Sequence, residues 1–594
     1  MFRSISQVFR LFQDQKLQFF GLLGLIFFTA IFDVIGIASI FPFINALSDP
    51  GNIQNDEILS FLYKLFNFSE TTTFIFYLGL AVFIILATSL VIKSLTLFFQ
   101  FRFVSFTEFR LGKKLIEKFL NQPYSWFLDQ NSSELGKRIL SEVSIVATGA
   151  VLPVLNMIVH LTISLSIICL LLFVNPMATL IVSVILVSSY FIIYTFLSGF
   201  IRKIGKLRVK ENEKRFKAVN EAFSSSKIMK LMNLESFFTS SFKQPAQRFA
   251  IYNSTIESIA QIPRNLLEAI TFGGMIAFTL IMMGSSNNLS DIIPYLTLYA
   301  FAGYKLLPSI QHIYYAFARL AYTQAALNDL INDIESESLS KVIITKDHMK
   351  FKESVELRNI SFRYAGSELN ALNNISLTIN VNKTYGIVGP TGSGKTTLVD
   401  IILGLLVQTS GSILVDDAEL NSANISSWQK NIGYVPQDIY LTDDTILSNI
   451  GFGQPSDTID FRRVKEAANL AKLDDFIMNE LPKGYDTVVG ERGVRLSGGQ
   501  RQRIGIARAL YQDPQIIIFD EATSALDNLT EDALMQSIEG LQSQKTLIII
   551  AHRLSTVRNC SNIFFMKNGA LFDSGTYDEL KNTNSEFKEM LKKH

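Results

Sequence analysis

Long apolar runs dominate the chain up to about residue 325, and the pattern then changes. Six runs, at about 18–47, 73–101, 143–173, 177–200, 258–283 and 291–320, each supply the roughly 20 apolar residues a helix needs to cross about 30 Å of hydrocarbon. Beyond them apolar stretches shorten to strand length and are punctuated by Gly, Asp and Lys. Residues 1–324 therefore read as a six-crossing helical membrane domain, 325–352 as a polar linker, and 353–594 as a soluble α/β domain.

Between the apolar runs, residues 102–142 and 201–255 are charged yet keep helical spacing, as in Leu111, Leu115, Ile116, Phe119 and Leu120. The crossing helices are expected to continue beyond the membrane. Each pair should close in a short turn with exposed aromatics, Trp126–Phe127 in one and Phe237–Phe238 in the other. Two shorter stripes are also amphipathic. Phe2, Ile5, Phe9 and Phe12 alternate with Arg3, Arg10 and Lys16, which suits a helix on the membrane surface or a plain lead-in to the first crossing. Ile58, Leu59, Leu62, Leu65 and Phe66 predict a second short helix at 56–67, on the opposite side.

Charge fixes the orientation. The segments 1–17, 102–142 and 201–255 carry three, seven and twelve Lys or Arg residues, whereas the opposite connections hold only Lys64. Basic residues stay on the cytoplasmic side, so both termini and the soluble domain are cytoplasmic. The first apolar run is too long for a cleavable leader and lacks a small-residue cleavage pattern. Composition agrees: mean hydropathy is +0.27 and only 18% of residues are charged, too thin a polar skin for a soluble protein of 594 residues. A net charge of +1 gives no field for nucleic acid. Cys169 and Cys560 are too few and too distant to form a disulfide framework.

The soluble half carries readable chemistry. Gly389, Pro390, Thr391, Gly392, Ser393, Gly394, Lys395 and Thr396 match the phosphate-loop pattern, following the strand-like Thr384–Val388 and opening a helix that begins near Thr397. The glycines let backbone N–H groups wrap phosphates at a helix N-terminus. Lys395 supplies a compact positive charge, and the Thr396 hydroxyl suits Mg²⁺. Further on, Ile516–Asp520 reads as a fully buried parallel strand ending in a carboxylate. Asp520 can hold Mg²⁺ through water, and Glu521 can accept a proton from an attacking water or orient it.

With Leu496-Ser497-Gly498-Gly499-Gln500 added, the soluble half resembles the ATP-binding cassette family. The resemblance implies further roles. Tyr364 would stack on adenine, Gln437 would sense Mg²⁺ and contact the membrane domain, and His552 would contact the γ-phosphate. Ser524–Asp527 would join two nucleotide domains, and Val489–Gly493 would touch helices of the membrane domain. The nucleotide-binding set is then Tyr364, Gly389 to Thr397, Ser497 to Gln500 and Asp527; Glu521, His552 and Gln437 are catalytic, with Thr396, Gln437 and Asp520 at the metal. In that family ATP lies between the phosphate loop of one domain and the Leu-Ser-Gly-Gly-Gln of another. One copy of each motif implies a homodimer with two sites, although a heterodimer satisfies the same count.

The membrane half resembles exporters in which six crossings precede the ATPase. Three stretches, Ile262–Glu268, Tyr304–Ser309 and the Ile92–Ser94 region, resemble the lipid-linked oligosaccharide flippases of bacterial protein N-glycosylation. That family favours Arg where this chain has Lys305 and near Lys93. Counted from the outer ends at ~1.5 Å per residue, Lys305, Arg264 and Lys93 lie roughly 21, 28 and 30 Å down. Cations at such depth on three helices suit a pyrophosphate headgroup. Snorkelling of Lys93 and Arg264, or pairing of Arg264 with Glu268 one turn on, explains them equally well. Asp33 and His160, also inside crossings, suggest no role. The expectation is an ATP-driven flippase of the cytoplasmic or inner membrane, moving a lipid-linked saccharide between leaflets. An exporter of peptides or other amphipathic molecules is the alternative, and an ATP-gated channel or regulator a third.

Overall fold

The computed structural model describes the chain except residues 1, 13–14, 49, 52, 54–56, 69, 175, 286–288, 337–348, 350, 522–530, 532–535, 537–543, 552 and 594, and some side chains within helices, mainly in 174–186 and 266–296. It divides into two compact units, one of residues 1–120 with 129–338, the other of residues 121–128 with 339–594.

The first unit is helical. Its six long helices are α1 (Lys16–Ser48), α2 (Thr71–Leu120), α3 (Leu152–Val174), α4 (Pro176–Ser224), α5 (Glu235–Ser285) and α6 (Leu289–Glu335). Helix α3 is the last part of a continuous run that starts at Ser132 and includes two π-helical stretches, Arg138–Glu142 and Ala147–Val151. Among the described residues, three runs are long and apolar enough to cross a membrane: Lys16–Ser48, Thr71–Leu120 and Ser132–Phe173. Helix α1 packs on α2, α3 on α6, and α4 on both α5 and α6. The amphipathic stripes form short helices, Phe2–Arg10 and Glu57–Leu65.

The helices extend beyond their apolar runs, as the spacing requires, but three details differ from expectation. Residues 325–335, expected in the linker, continue α6, because Ala326, Leu327, Leu330 and Ile331 place one buried stripe along it. Trp126 and Phe127 lie in a helix, Tyr124–Leu128, and are half-buried rather than exposed. Phe237 and Phe238 fall in the first turn of α5, just after the bend at Asn233, whose φ of 55° is left-handed.

Beyond the apolar runs, the helices are held by charge as well as packing. Arg208 of α4, 1% exposed, donates to both oxygens of Glu142, which lies in the first π-helical stretch and also accepts from Asn212. A Cβ at Gly205 would sit 2.1 Å from the Tyr322 carbonyl, so only glycine permits α4 and α6 to approach this closely. Arg138 pairs with Glu134 and with Asp333 of α6.

The second unit is a two-sheet α/β domain. Strands β1 (Ser354–Phe362), β2 (Leu372–Asn380), β4 (Ser410–Val415) and β5 (Ala418–Glu419) form an antiparallel sheet in the order β2-β1-β4-β5. The second sheet has the order β10-β9-β3-β8-β7-β6, using β3 (Thr384–Val388), β6 (Ile432–Val435), β7 (Ile516–Asp520), β8 (Thr546–Ile550), β9 (Asn562–Lys567) and β10 (Ala570–Gly575). Its pairs are parallel except for β9 with β10. Every residue of β3, β7 and β8 is buried, as their largely apolar sequences suit strands covered on both faces. Two helices matter for the site: α7 (Lys395–Ile402) follows β3, and α8 (Gly498–Tyr511) precedes β7.

Candidate nucleotide and substrate sites

The turn from β3 into α7 is shaped by its glycines. Gly389 (φ 153°) is so close to the Met566 carbonyl that a Cβ would meet it at 2.2 Å, and Gly394, the N-cap of α7, has a φ of 95°. No other residue takes both positions without displacing backbone. Lys395 is 6% exposed and donates to the Gly389 and Pro390 carbonyls at 2.8 and 3.1 Å. Burial pulls its ammonium below the ordinary lysine range, while Glu521 and Asp520 act to raise it. Ser393 has a buried hydroxyl with no hydrogen-bond partner among the described residues. An orphaned hydroxyl, a buried ammonium and a glycine-only loop at a helix N-terminus together suit a bound phosphate chain.

The other side of this pocket is built at the end of β7. Asp520, 5% exposed, accepts from the Tyr434 hydroxyl at 3.1 Å. Glu521 follows with a left-handed φ of 52° and accepts from Gln437 Nε2 at 2.7 Å. That hydrogen bond fixes one carboxylate oxygen of the proposed base. Tyr364 meets Thr397 hydroxyl to hydroxyl at 3.0 Å, which tethers the aromatic ring to the first turn of α7. Thr396 is exposed beside it. Desolvation first, and Asp520 second, push the Asp400 carboxyl of α7 up to about 6. Lys395, Asp520, Glu521, Gln437, Tyr364, Thr396 and Thr397 therefore surround one region at the C-terminal ends of the parallel strands, where doubly wound sheets bind ligands.

Ser497, Gly498, Gly499 and Gln500 form the start of α8. Ser497 and Gln500 make a capping box, with each side chain bonded to the other's backbone N–H. Among the described residues no hydrogen bond joins this turn to the phosphate loop. The capped turn lies at the domain surface, with Ser497 exposed and Gly498 and Gly499 half-buried. Asp527 and His552 lie outside the described residues, as does the Ser524–Asp527 segment.

The membrane cations are arranged differently from expectation. Lys305 of α6 pairs with Asp33 of α1 at 3.0 Å, and Asp33 also accepts from Ser89 of α2 at 2.7 Å. Asp33 is 2% exposed, so Lys305 neutralises a buried carboxylate instead of standing as an open cation. Arg264 pairs with Glu268 at 2.8 Å on an exposed helix face, which is the self-neutralising arrangement. Lys93 alone of the three has neither an ion pair nor a hydrogen bond among the described residues. Its helix packs on α3 and α6, which carry two imidazoles, His160 and His312. Those rings stack with centroids 4.2 Å apart and planes 11° from parallel, and His160 meets Ser309 at 3.3 Å. The spacing of the cations gave no hint of this histidine pair. A usable signal existed, however, since His160 and His312 are two of only five histidines and both interrupt apolar runs.

Comparison with known proteins agrees with this geometry. The profile of the ABC transporter transmembrane region matches residues 18–303, and that of the ABC transporter matches residues 372–524. The ATP-dependent lipid A-core flippase of Bordetella avium (strain 197N) is 30% identical over 487 residues, covering 79% of each chain. The alpha-hemolysin translocation ATP-binding protein HlyB of Escherichia coli O157:H7 is 32% identical over 477 residues, 79% of this chain and 66% of that one. A bacterial Atm1-family ABC exporter solved with ATP bound superposes with a TM-score of 0.79 over 97% of this chain and 98% of its own, at 21% identity. Matched in both halves and along most of a flippase relative, the chain belongs to the ABC transporter family, as an ATP-hydrolysing exporter half-transporter with the Atm1-type fold.

Proposed function

We propose that this half-transporter works as a homodimer in the cytoplasmic or inner membrane and flips a polyprenyl-pyrophosphate-linked oligosaccharide from the inner to the outer leaflet. The reading rests on Lys93, which has neither an ion pair nor a hydrogen bond among the described residues, and on His160 and His312, which stack on the two helices packed against its own. Arg264 and Lys305, already paired, would shape the path and enter the contact only if their partners move. The relative described as a lipid A-core flippase supports an amphipathic glycolipid as cargo.

At the nucleotide site, the glycine loop and Lys395 would hold the phosphates, with Tyr364 against the adenine. Thr396, Asp520 and the Gln437 amide oxygen would hold Mg²⁺, which when bound neutralises charge on the transferring phosphoryl group. Glu521, oriented by Gln437, would accept the proton of the attacking water. Ser497 to Gln500 of the second copy would close the same site, bringing a helix N-terminus to the phosphates. His552 and Asp527 complete the set by the family resemblance.

Substrate stimulation of ATP hydrolysis tests the cargo. A lipid-linked oligosaccharide should raise the turnover of the purified protein in nanodiscs, and Lys93→Gln should remove the stimulation while basal turnover remains. A second reading, export of a peptide or protein, is favoured by the comparable identity to the hemolysin translocation protein. Stimulation by peptides alone would establish that reading and end the first.

A further inference from the structure

Helices α1 and α2 line a half-open groove of 520 Å³ that the transport reading leaves unused. Its walls are apolar, from Leu22 and Leu25 on α1 and Phe99, Phe103 and Phe106 on α2, and its polar groups are Gln18, Arg102 and Arg110. These polar groups mark its depth. Gln18 opens the first apolar run, and Arg102 is the first charge after the second, so the groove sits where hydrocarbon gives way to cytoplasmic headgroups.

The two guanidiniums distinguish this groove from ordinary lipid-facing surface. Arg102 rests over the Phe106 ring, its guanidinium 5.6 Å from the centroid. Neither Arg102 nor Arg110 has an ion pair or a hydrogen bond among the described residues. Two basic side chains further into the cytoplasmic extensions are paired: Arg10 with Glu335, and Lys118 with Ile334 and Ser336. Two arginines with no ion pair among the described residues, about 12 Å apart along α2 at ~1.5 Å per residue, therefore stand above an apolar slot in the leaflet that carries anionic lipid.

We propose that this groove is a binding site for an anionic phospholipid of the cytoplasmic leaflet, its acyl chains against Phe99, Phe103 and Leu25 and its phosphate between Arg102 and Arg110. The lipid is a resident of the fold and not the cargo. Lys93, His160 and His312 take no part in it, so the proposal stands or falls independently of the substrate.

Native mass spectrometry of the full chain, exchanged into equal amounts of phosphatidylglycerol and phosphatidylcholine, tests it. The wild type should retain phosphatidylglycerol in preference. Arg102→Gln/Arg110→Gln should lose that preference roughly tenfold or more, and Arg102→Lys/Arg110→Lys should keep most of it. Gly21 lines the slot, and a Cβ added there meets nothing within 4 Å, so Gly21→Leu should fold, fill the slot and expel the lipid with both charges intact. Equal retention by all variants would overturn the site. Undiminished preference in Gly21→Leu would reduce the arginines to diffuse surface charge. Loss of the dimer by Gly21→Leu without loss of lipid would show that a second copy covers the groove, which also overturns the proposal.

Discussion

The two halves of this chain hold their charges by opposite means. In the ATPase half, Lys395, Asp520 and Glu521 meet around backbone turns that local sequence dictates: a glycine loop after β3 and a left-handed residue after β7. In the membrane half, Asp33, Lys305 and Ser89 meet only because α1, α2 and α6 pack together, and nothing near each residue announces its partners. A charge placed by a loop is a site from the outset. A charge placed by helix packing is first a structural element, and it becomes a site only if it keeps a free bond.

The sharpest way to break the contrast lies in the ATPase half. Glu521→Gln should cut ATP turnover by about 10²–10⁴-fold while leaving nucleotide affinity intact, the range for loss of a general base. Steady-state hydrolysis beside nucleotide-binding measurements would read both. Retention of more than about a tenth of the rate would remove Glu521 from the chemistry.

In the helical half the corresponding test is structural. Arg208→Ala strands Glu142 in a buried setting and should cost about 3–5 kcal/mol. Thermal unfolding in nanodiscs checks it, and Arg208→Met/Glu142→Leu should recover most of the loss. Lys305→Gln should behave similarly but less severely, at about 1–3 kcal/mol for leaving Asp33 short of a partner, with Asp33→Asn/Lys305→Gln restoring the melting temperature. If the double variant restores stability but abolishes transport, Lys305 is a ligand as well as a structural charge, and the contrast drawn here is too simple.

The smallest effect concerns pH. Asp400 has its carboxyl raised to about 6 in the fold, so the folded state binds its proton more tightly than the unfolded chain. Stability from this group is full below the unfolded value near 4 and declines as pH rises through about 6. Asp400→Asn should therefore stabilise the protein by about 1 kcal/mol above pH 7, allowing for partial solvent screening, and leave it unchanged near pH 4. Melting curves of both proteins across that window would show it.

Legibility followed the same division. The six long helices, the phosphate loop and the buried strand ending in Asp520 were readable because each is a local pattern of apolar runs, glycines or β-branched residues. The bond from Gln437 to Glu521 and the tether between Tyr364 and Thr397 were not, since each joins residues far apart in sequence. In the membrane half, depth counted along a helix singled out Lys93, Arg264 and Lys305 but could not say which way each side chain faces. Asp33 suggested no role for the same reason, although it is the partner that neutralises Lys305. The end of α6 was misplaced because a polar outer face hid the buried stripe at Ala326, Leu327, Leu330 and Ile331.

Direct translocation bears most heavily on the proposed activity. Proteoliposomes holding a fluorescent polyprenyl-pyrophosphate oligosaccharide should show ATP-dependent movement between leaflets with the wild-type protein, none with Glu521→Gln, and severely reduced movement with Lys93→Gln at equal incorporation. Undiminished flipping by a well-folded Lys93→Gln, or ATP hydrolysis with no flipping by the wild type, would contradict the assignment of Lys93 and this cargo.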